Sequence, residues 1–81
     1  MRMMLRASLP NEPFNTLIRE NKAGALIQKI LGELKPEAVY FSEQDGTRHA
    51  TLIIDVADPS KIPTFAEPFF LCFNAKCHFS V

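Results

Sequence analysis

A tight-turn signal in the middle of the chain constrains its fold more than any other feature. Asp45-Gly46 is a dipeptide that readily supplies the two positive φ angles of a two-residue hairpin turn. Apolar and polar residues alternate on both sides of it, over residues 38–43 and 48–56. Because successive side chains of a strand point to opposite faces, this segment is predicted to form an antiparallel hairpin.

The two faces of this hairpin differ in character. The face assigned to the core carries Val39, Phe41, Ala50, Leu52, Ile54 and Val56. The other face carries Tyr40, Ser42, His49, Thr51, Ile53 and Asp55. The second set mixes polar and apolar side chains, so it is the part of the sequence that hints at a function.

Length and charge limit the classes of protein to which the chain can belong. Its 81 residues are predicted to form a single domain, residues 1–81, and 47% of them are hydrophobic. A domain of this size buries only about 60% of the surface that its unfolded chain exposes, so a partner subunit is expected to add stability. Nine basic and nine acidic residues cancel. Without a basic surface for phosphates, nucleic-acid binding is not expected.

The cysteines and the N-terminal residues bear on location. Cys72 and Cys77 fit neither a zinc site nor a secreted disulfide framework, so both are predicted to be free, buried thiols. The N-terminal residues lack a continuous apolar run, and no segment approaches the roughly 20 apolar residues of a membrane span. The sequence therefore predicts a cytoplasmic protein without a membrane segment.

Two further strands and a first helix surround the hairpin. Residues 1–9 and 73–81 alternate in the manner of strands. Between the first strand and the hairpin, Asn11 is the predicted N-cap of an amphipathic helix of about 20 residues. Its apolar positions recur at intervals of three and four on either side of a small Ala23-Gly24-Ala25 segment, and they are Phe14, Leu17, Ile18, Leu26, Ile27, Ile30, Leu31 and Leu34.

A second helix is predicted after the hairpin. Asp58-Pro59-Ser60 resembles an N-cap followed by proline at the first helical position. Pro63 and Pro68 indicate a short, broken helix from about residue 60 to 70, because proline cannot donate a helical hydrogen bond. The element order is then β-α-β-β-α-β. It predicts an α+β, ferredoxin-like sandwich in which two helices cover one face of a four-stranded antiparallel sheet.

The face of the sheet away from the helices is predicted to be covered by a second subunit. Its residues are Arg2, Met4, Arg6, Ser8, Tyr40, Ser42, His49, Thr51, Ile53, Asp55, Lys76, His78 and Ser80. This mixture suits a covered, partly polar cavity, which two sheets packed face to face would form as a dimeric α/β barrel. A short second helix with Phe65, Phe69, Phe70 and Leu71 also favours a homodimer, since one small subunit is not expected to bury all four.

The chain resembles a family of short bacterial proteins of unknown function in the dimeric α/β-barrel (ferredoxin-like) superfamily. The resemblance lies in LKPEAVYFSEQDGTRHATLIIDVADPSKIPTFAEPFFLCFNAK, most closely in KPEAVYF, DPSKIP and AEPFFL. Some members carry a pantothenate-synthetase label. The resemblance implies the fold and a homodimer, and it supplies no catalytic residue. Since the chain has no HxGH, P-loop or GxGxxG motif, no cofactor is expected.

Two histidines are candidates for chemistry on this face. His49 and His78, with Asp55, could hold a metal or act as a general base. No third ligand is apparent from the sequence. Solvated or hydrogen-bonded histidines are therefore the favoured interpretation, and no metal site is predicted.

An arginine and a tyrosine are candidates for ligand binding. Arg6 and Tyr40 are both donors that suit a carboxylate or enolate oxygen of a small ligand. The alternative for Arg6 is an interface salt bridge to Asp55 or Glu43. The sequence does not decide between them.

The candidate pocket therefore combines Arg6, Tyr40, His49, Thr51 and His78, and its predicted ligand is a small anion. No residue is assigned a catalytic role. The sequence favours a dimeric structural or small-ligand-binding module. The alternative is a cofactor-free enzyme of the isomerase or monooxygenase type with its pocket on the same face.

Overall fold

Four antiparallel strands and three α-helices make up the structure, a computed structural model that describes residues 1–81. The elements are β1 (Arg2–Leu9), α1 (Asn11–Arg19), α2 (Ala23–Leu34), β2 (Ala38–Gln44), β3 (Thr47–Asp55), a 3₁₀ turn (Pro59–Lys61), α3 (Ile62–Phe73) and β4 (Lys76–Ser80). The strand order is β2-β3-β1-β4. The predicted α+β class and antiparallel sheet are confirmed, and the arrangement is compatible with a ferredoxin-like fold.

The predicted hairpin is present, and its turn uses the predicted residues. Asp45 and Gly46 have φ angles of 56° and 76°. Both lie in the left-handed region that a type I′ turn requires. The Glu43 carboxylate accepts a hydrogen bond from the Gly46 backbone N–H at 2.7 Å, which fixes the turn further.

Alternating residues of the two central strands form the core. Leu5 lies between Leu52 of β3 and Phe79 of β4 in the register of the sheet. All buried residues are apolar: Met3, Leu5, Ala7, Leu9, Phe14, Ala23, Ile30, Ala50, Leu52, Ile54, Val56, Ala66, Phe69, Phe73 and Ala75. The core face predicted for β3 is therefore correct.

The prediction that Phe41 belongs to the core is wrong. Its side chain is 55% exposed. Phe41 lies on the edge strand β2, where one flank has no neighbouring strand, and it stands opposite the small side chain of Ala50. Val39, on the same face of β2, is half-buried and packs against the core.

The single long helix predicted before the hairpin is two helices. Asn21 has a φ of 60° between α1 and α2. Its N–H donates to the Ile18 carbonyl at 2.9 Å, and the Lys22 N–H donates to the Leu17 carbonyl at 2.8 Å. This pair of hydrogen bonds is the Schellman arrangement that ends a helix, and asparagine tolerates the left-handed backbone it needs.

The cap predicted for the first helix is also different. The Asn11 side chain makes no capping hydrogen bond, and the backbone of Glu12 is extended. The Glu12 carboxylate instead accepts from the Thr16 backbone N–H at 3.0 Å and from the Thr16 hydroxyl at 2.8 Å. These hydrogen bonds from Thr16, with a further one from Arg19, lower the pKa of Glu12.

The second predicted helix begins as expected but ends later. Asp58 caps it by accepting from the Ser60 backbone N–H at 2.9 Å. The helix continues through Phe73 despite Pro68, because one proline removes a single N–H donor, the partner of the Thr64 carbonyl. As a result β4 begins at Lys76 and is shorter than the predicted strand.

Two of the four large side chains on α3, Phe65, Phe69, Phe70 and Leu71, lie outside the core. Phe69 is buried and Phe65 packs against the core within the subunit, so two of the four large side chains are covered without a partner. Phe70 and Leu71 are exposed. The expectation that one subunit would not bury all four side chains is therefore confirmed.

Leu52 tests the phase of the central strand. Leu52→Ala removes a fully buried side chain, and it should lower the free energy of unfolding by about 2–5 kcal/mol in urea denaturation. Phe41→Ala, on the adjacent strand and largely exposed, is the matched control and should cost less than about 1 kcal/mol. Equal losses in the two variants would show that the core is assigned incorrectly.

Candidate functional site

The register of the four strands arranges the face of the sheet away from the helices, here called the open face, in cross-strand rows. The Arg6 row reads Tyr40, Thr51, Arg6 and His78 from β2 to β4. The His49 row reads Ser42, His49, Ser8 and Lys76. The apolar row reads Ala38, Ile53, Met4 and Ser80. Cβ atoms that are adjacent in one row are about 5 Å apart, and diagonal neighbours are about 7–8 Å apart.

A shallow depression of about 210 Å³, here called the basic depression, lies at one end of the open face. Its lining residues are Arg6, Ser8, Gln44, His49, Lys76, Cys77 and His78. Three residues of the predicted pocket, Arg6, His49 and His78, are therefore brought together. The depression draws on β1, β3 and β4 and on the last residue of β2.

The other two predicted pocket residues lie outside the basic depression. Tyr40 is on the edge strand and is 62% exposed. Two strand spacings separate it from Arg6, about 10 Å at 4.8 Å per strand. Thr51 lies between them in the same row and does not line the depression. The structure therefore does not bring Arg6 and Tyr40 into one depression within the subunit.

Arg6 has a neutral partner rather than a carboxylate. Its Nη2 atom donates to Gln44 Oε1 at 3.1 Å. Within the subunit Arg6 makes no salt bridge: Asp55 contacts the Met1 amino group at 3.0 Å, and the Glu43 carboxylate accepts a hydrogen bond from the Gly46 N–H. The alternative of a salt bridge across an interface stays a prediction. The guanidinium is thus oriented but keeps its charge unpaired.

Charge is divided between the two ends of the open face. At the end distant from the depression, Arg2 Nε lies 2.8 Å from Glu37 Oε2. At the other end, Arg6 and Lys76 line the same depression, and neither forms a salt bridge. No carboxylate lines the basic depression, so its field attracts anions.

The two histidines have different environments. His49 is half-buried, and its Nδ1 lies 3.3 Å from the Thr47 carbonyl oxygen. Since a carbonyl only accepts, Nδ1 is the donor and Nε2 is left to act on a ligand. His78 is exposed and stands opposite Arg6. No group of three or more His, Cys, Asp or Glu side chains converges anywhere in the structure.

Four lining residues, Ser8, Gln44, Lys76 and Cys77, were not part of the predicted pocket. Ser8 and Lys76 had been placed on the open face by alternation, but only the registers of β1 against β3 and β4 show that Ser8 lies between His49 and Lys76 in one row. Gln44 is the last residue of β2. Continuing the alternation of Tyr40 and Ser42 as far as the turn would have placed it on this face.

A second concave region lies between α2 and α3 on the opposite side of the molecule. This helical groove has a volume of about 490 Å³ and is lined by Leu26, Lys29, Ile30, Glu33, Thr64, Glu67, Pro68, Leu71 and Cys72. Leu71 is 77% exposed at its edge. The groove is more apolar than the basic depression and lacks its cluster of convergent cations.

The thiols do not contribute a nucleophile to the basic depression. Cys72 and Cys77 are both free and half-buried. Cys77 stands opposite Ala7 in the register, which places its side chain on the core face of β4. Burial raises the pKa of the Cys77 thiol from 9.0 to about 11, so it is protonated at neutral pH.

Comparison with known proteins bears on the fold alone. No protein-family profile matches the chain, and no curated protein matches it. Among solved structures it is similar to the de novo designed protein Ferredog-Diesel, with a TM-score of 0.57 and 10% identity, covering 100% of this chain and 85% of that one. At this identity the similarity supports the α+β architecture. None of the helices is long and apolar enough to cross a membrane.

The Cys77 environment predicts slow alkylation. In a Cys72→Ser variant, native Cys77 should react with iodoacetamide at pH 8 about 100-fold more slowly than the same chain unfolded in urea, because a pKa higher by two units lowers the thiolate fraction by that factor. Raising the pH towards 11 should recover the rate. Mass spectrometry measures both rates, and native alkylation as fast as in urea would contradict the assigned burial.

Proposed function

We propose that this protein is a homodimeric module that binds a small anionic ligand on the open face of its sheet. The basic depression is the observation that carries the proposal. Arg6 and Lys76 line it without a carboxylate partner, and two imidazoles lie beside them. Cations that are not neutralised within the fold are available to an anion from solution.

Burial supports the homodimer. Only 15 of 81 residues are buried, a small core that a subunit interface would enlarge. The apolar row adds Met4, which is 37% exposed, and the half-buried Ile53 to the open face. Packing two such faces together as a dimeric α/β barrel would cover this row and enclose the basic depression between the subunits.

The geometry supports binding better than catalysis. The side-chain hydrogen bonds of the depression join Arg6 to Gln44 and His49 to the Thr47 carbonyl, and none joins a hydroxyl to an imidazole. A cofactor-free isomerase or monooxygenase would need a general base beside its substrate; His49 and His78 are the imidazoles available, and neither is hydrogen-bonded to a hydroxyl nucleophile or to a carboxylate. The free thiols Cys72 and Cys77 fit a reducing compartment, which supports a cytoplasmic location.

The homodimer predicts a specific response to charge on the open face. Sedimentation equilibrium at micromolar concentration should give twice the 9.1 kDa mass of the chain, with an interface of more than about 1,200 Å² in total. Ile53→Glu should give folded monomers, because it buries a charge in the apolar row. Leu71→Glu, at the helical groove, should leave the dimer intact.

Two outcomes would contradict this assembly. One is a parent protein that sediments as a monomer. The other is a dimer dissociated by Leu71→Glu but not by Ile53→Glu, which would place the interface on the helices. Circular dichroism of each variant shows whether the fold is retained.

Anion binding is tested with a matched pair of arginines on β1. Phosphate should raise the melting temperature of the parent protein, and Arg6→Met should weaken phosphate binding at least about tenfold, since a charged hydrogen bond contributes about 1.5–3 kcal/mol. Arg2→Met should change the affinity less than about twofold, because Arg2 is already paired with Glu37. Equal effects of the two changes, measured by isothermal titration calorimetry, would exclude the basic depression as the site.

A further inference from the structure

The basic depression offers more hydrogen-bond donors than acceptors. Arg6 and Lys76 are donors only, whereas Gln44 Oε1 is the acceptor already used by Arg6. The Ser8 hydroxyl can donate as well as accept. A ligand group that fits must therefore consist mainly of acceptor oxygens.

Two permanent charges lie close together in this depression. Lys76 stands opposite Ser8 on β1 and is a diagonal neighbour of Arg6, which corresponds to about 7–8 Å between side-chain origins. A single carboxylate would leave one of the two cations without a counter-charge. A group with two negative charges matches both.

The volume limits the ligand group to a small one. About 210 Å³ is less than the roughly 300–1,000 Å³ of pockets that enclose drug-sized molecules. It accommodates one tetrahedral oxyanion with part of its hydration. The depression therefore suits a free ion or the charged head of a larger ester.

The imidazoles face cations and neutral groups. The open-face neighbours of His49 on the two adjacent strands are Ser8 and Arg6 of β1 and Tyr40, Ser42 and Gln44 of β2. Along β3 itself its neighbours on the same face are Thr47 and Thr51. Around His78 stand Met4, Arg6 and Ser8 on β1, with Lys76 and Ser80 along β4. None of these neighbours is a carboxylate.

Protonation of either histidine therefore adds a like charge beside Arg6 or Lys76 when the site holds no anion, and like charges across a sheet are destabilising. When an anion is bound, a protonated histidine is attracted to it, so protonation then stabilises the complex. His49 then has Nε2–H as a second donor, because its Nδ1 already donates to the Thr47 carbonyl. Anion binding and proton uptake are thus linked.

We propose that the basic depression binds a doubly charged oxyanion of the phosphate or sulfate class, and that binding draws protons onto His49 and His78. This inference rests on the proposed function of the depression as an anion site. It adds the class of the ligand group. It also predicts that the affinity for the oxyanion rises as the pH falls through the range in which histidines titrate.

Sulfate is the decisive probe because it carries two negative charges throughout this pH range, so a change in its affinity must come from the protein. Calorimetry at constant ionic strength should show binding about tenfold tighter at about pH 5.5 than at about pH 8. Repeating the titration in buffers of different ionisation enthalpy should show net proton uptake. A His49→Gln, His78→Gln double variant should bind with the parent's pH 8 affinity at both pH values.

The outcomes separate this inference from the proposal on which it rests. Equal sulfate affinity at both pH values, without proton uptake, would overturn the proton linkage and leave the anion site in place. Acetate binding as tightly as sulfate would overturn the dianion class. Absence of binding by every anion at either pH would overturn both the inference and the proposed function.

A separate experiment distinguishes a free oxyanion from the head group of an ester. At about pH 8 inorganic phosphate and phenyl phosphate are both predominantly dianionic, so they differ in the attached group rather than in charge. Tighter binding of phenyl phosphate would support an ester head group, and tighter binding of inorganic phosphate would support a free ion. Failure of both to bind at a pH at which sulfate binds would overturn the shared class.

Discussion

The antiparallel pairing of β1 with β3 is the constraint on which both the core and the open face depend. The register that sets Leu5 opposite Leu52 also sets Arg6 opposite Thr51. Because side chains alternate with a period of two, a slip of β1 by one residue would move Leu5 to the open face and Arg6 into the core. The free energy gained by burying Leu5 and Leu52 therefore holds the basic depression in place.

Local signals were sufficient to predict the elements that depend on neighbouring residues. The Asp45-Gly46 turn and the faces of β3 follow from backbone preference and alternation. The break between α1 and α2 was not predicted, since the apolar positions on each side of it have helical spacing, although no large apolar residue lies between Ile18 and Leu26, and the left-handed backbone of Asn21 ends α1. Phe41 shows the same limit, because alternation gives the face of a strand but not whether neighbours cover it.

The candidate site depended on non-local information. Alternation placed Arg6, His49 and His78 on one face, but the row that joins Arg6 to His78 is set by where β4 begins. That point is Lys76, because α3 continues to Phe73 before the chain turns at Asn74. The strand order, with β3 between β2 and β1, leaves Tyr40 two strands from Arg6. The length of a helix on one side of the sheet thus decides which polar groups meet on the other.

The edge strand β2 has a consequence for how the protein behaves when concentrated. Tyr40 and Phe41 are exposed on opposite faces of this strand, and no charged side chain precedes Glu43 within it. Edges that natural proteins protect carry charges, prolines or bulges against unwanted strand addition. A partner packed on the open face would cover Tyr40 and still leave the outer backbone of β2 unpaired. We expect the unpaired edge of β2 to pair with other extended segments of alternating polarity. Strand addition at this edge, rather than the free energy of unfolding, would then limit the solubility of the protein.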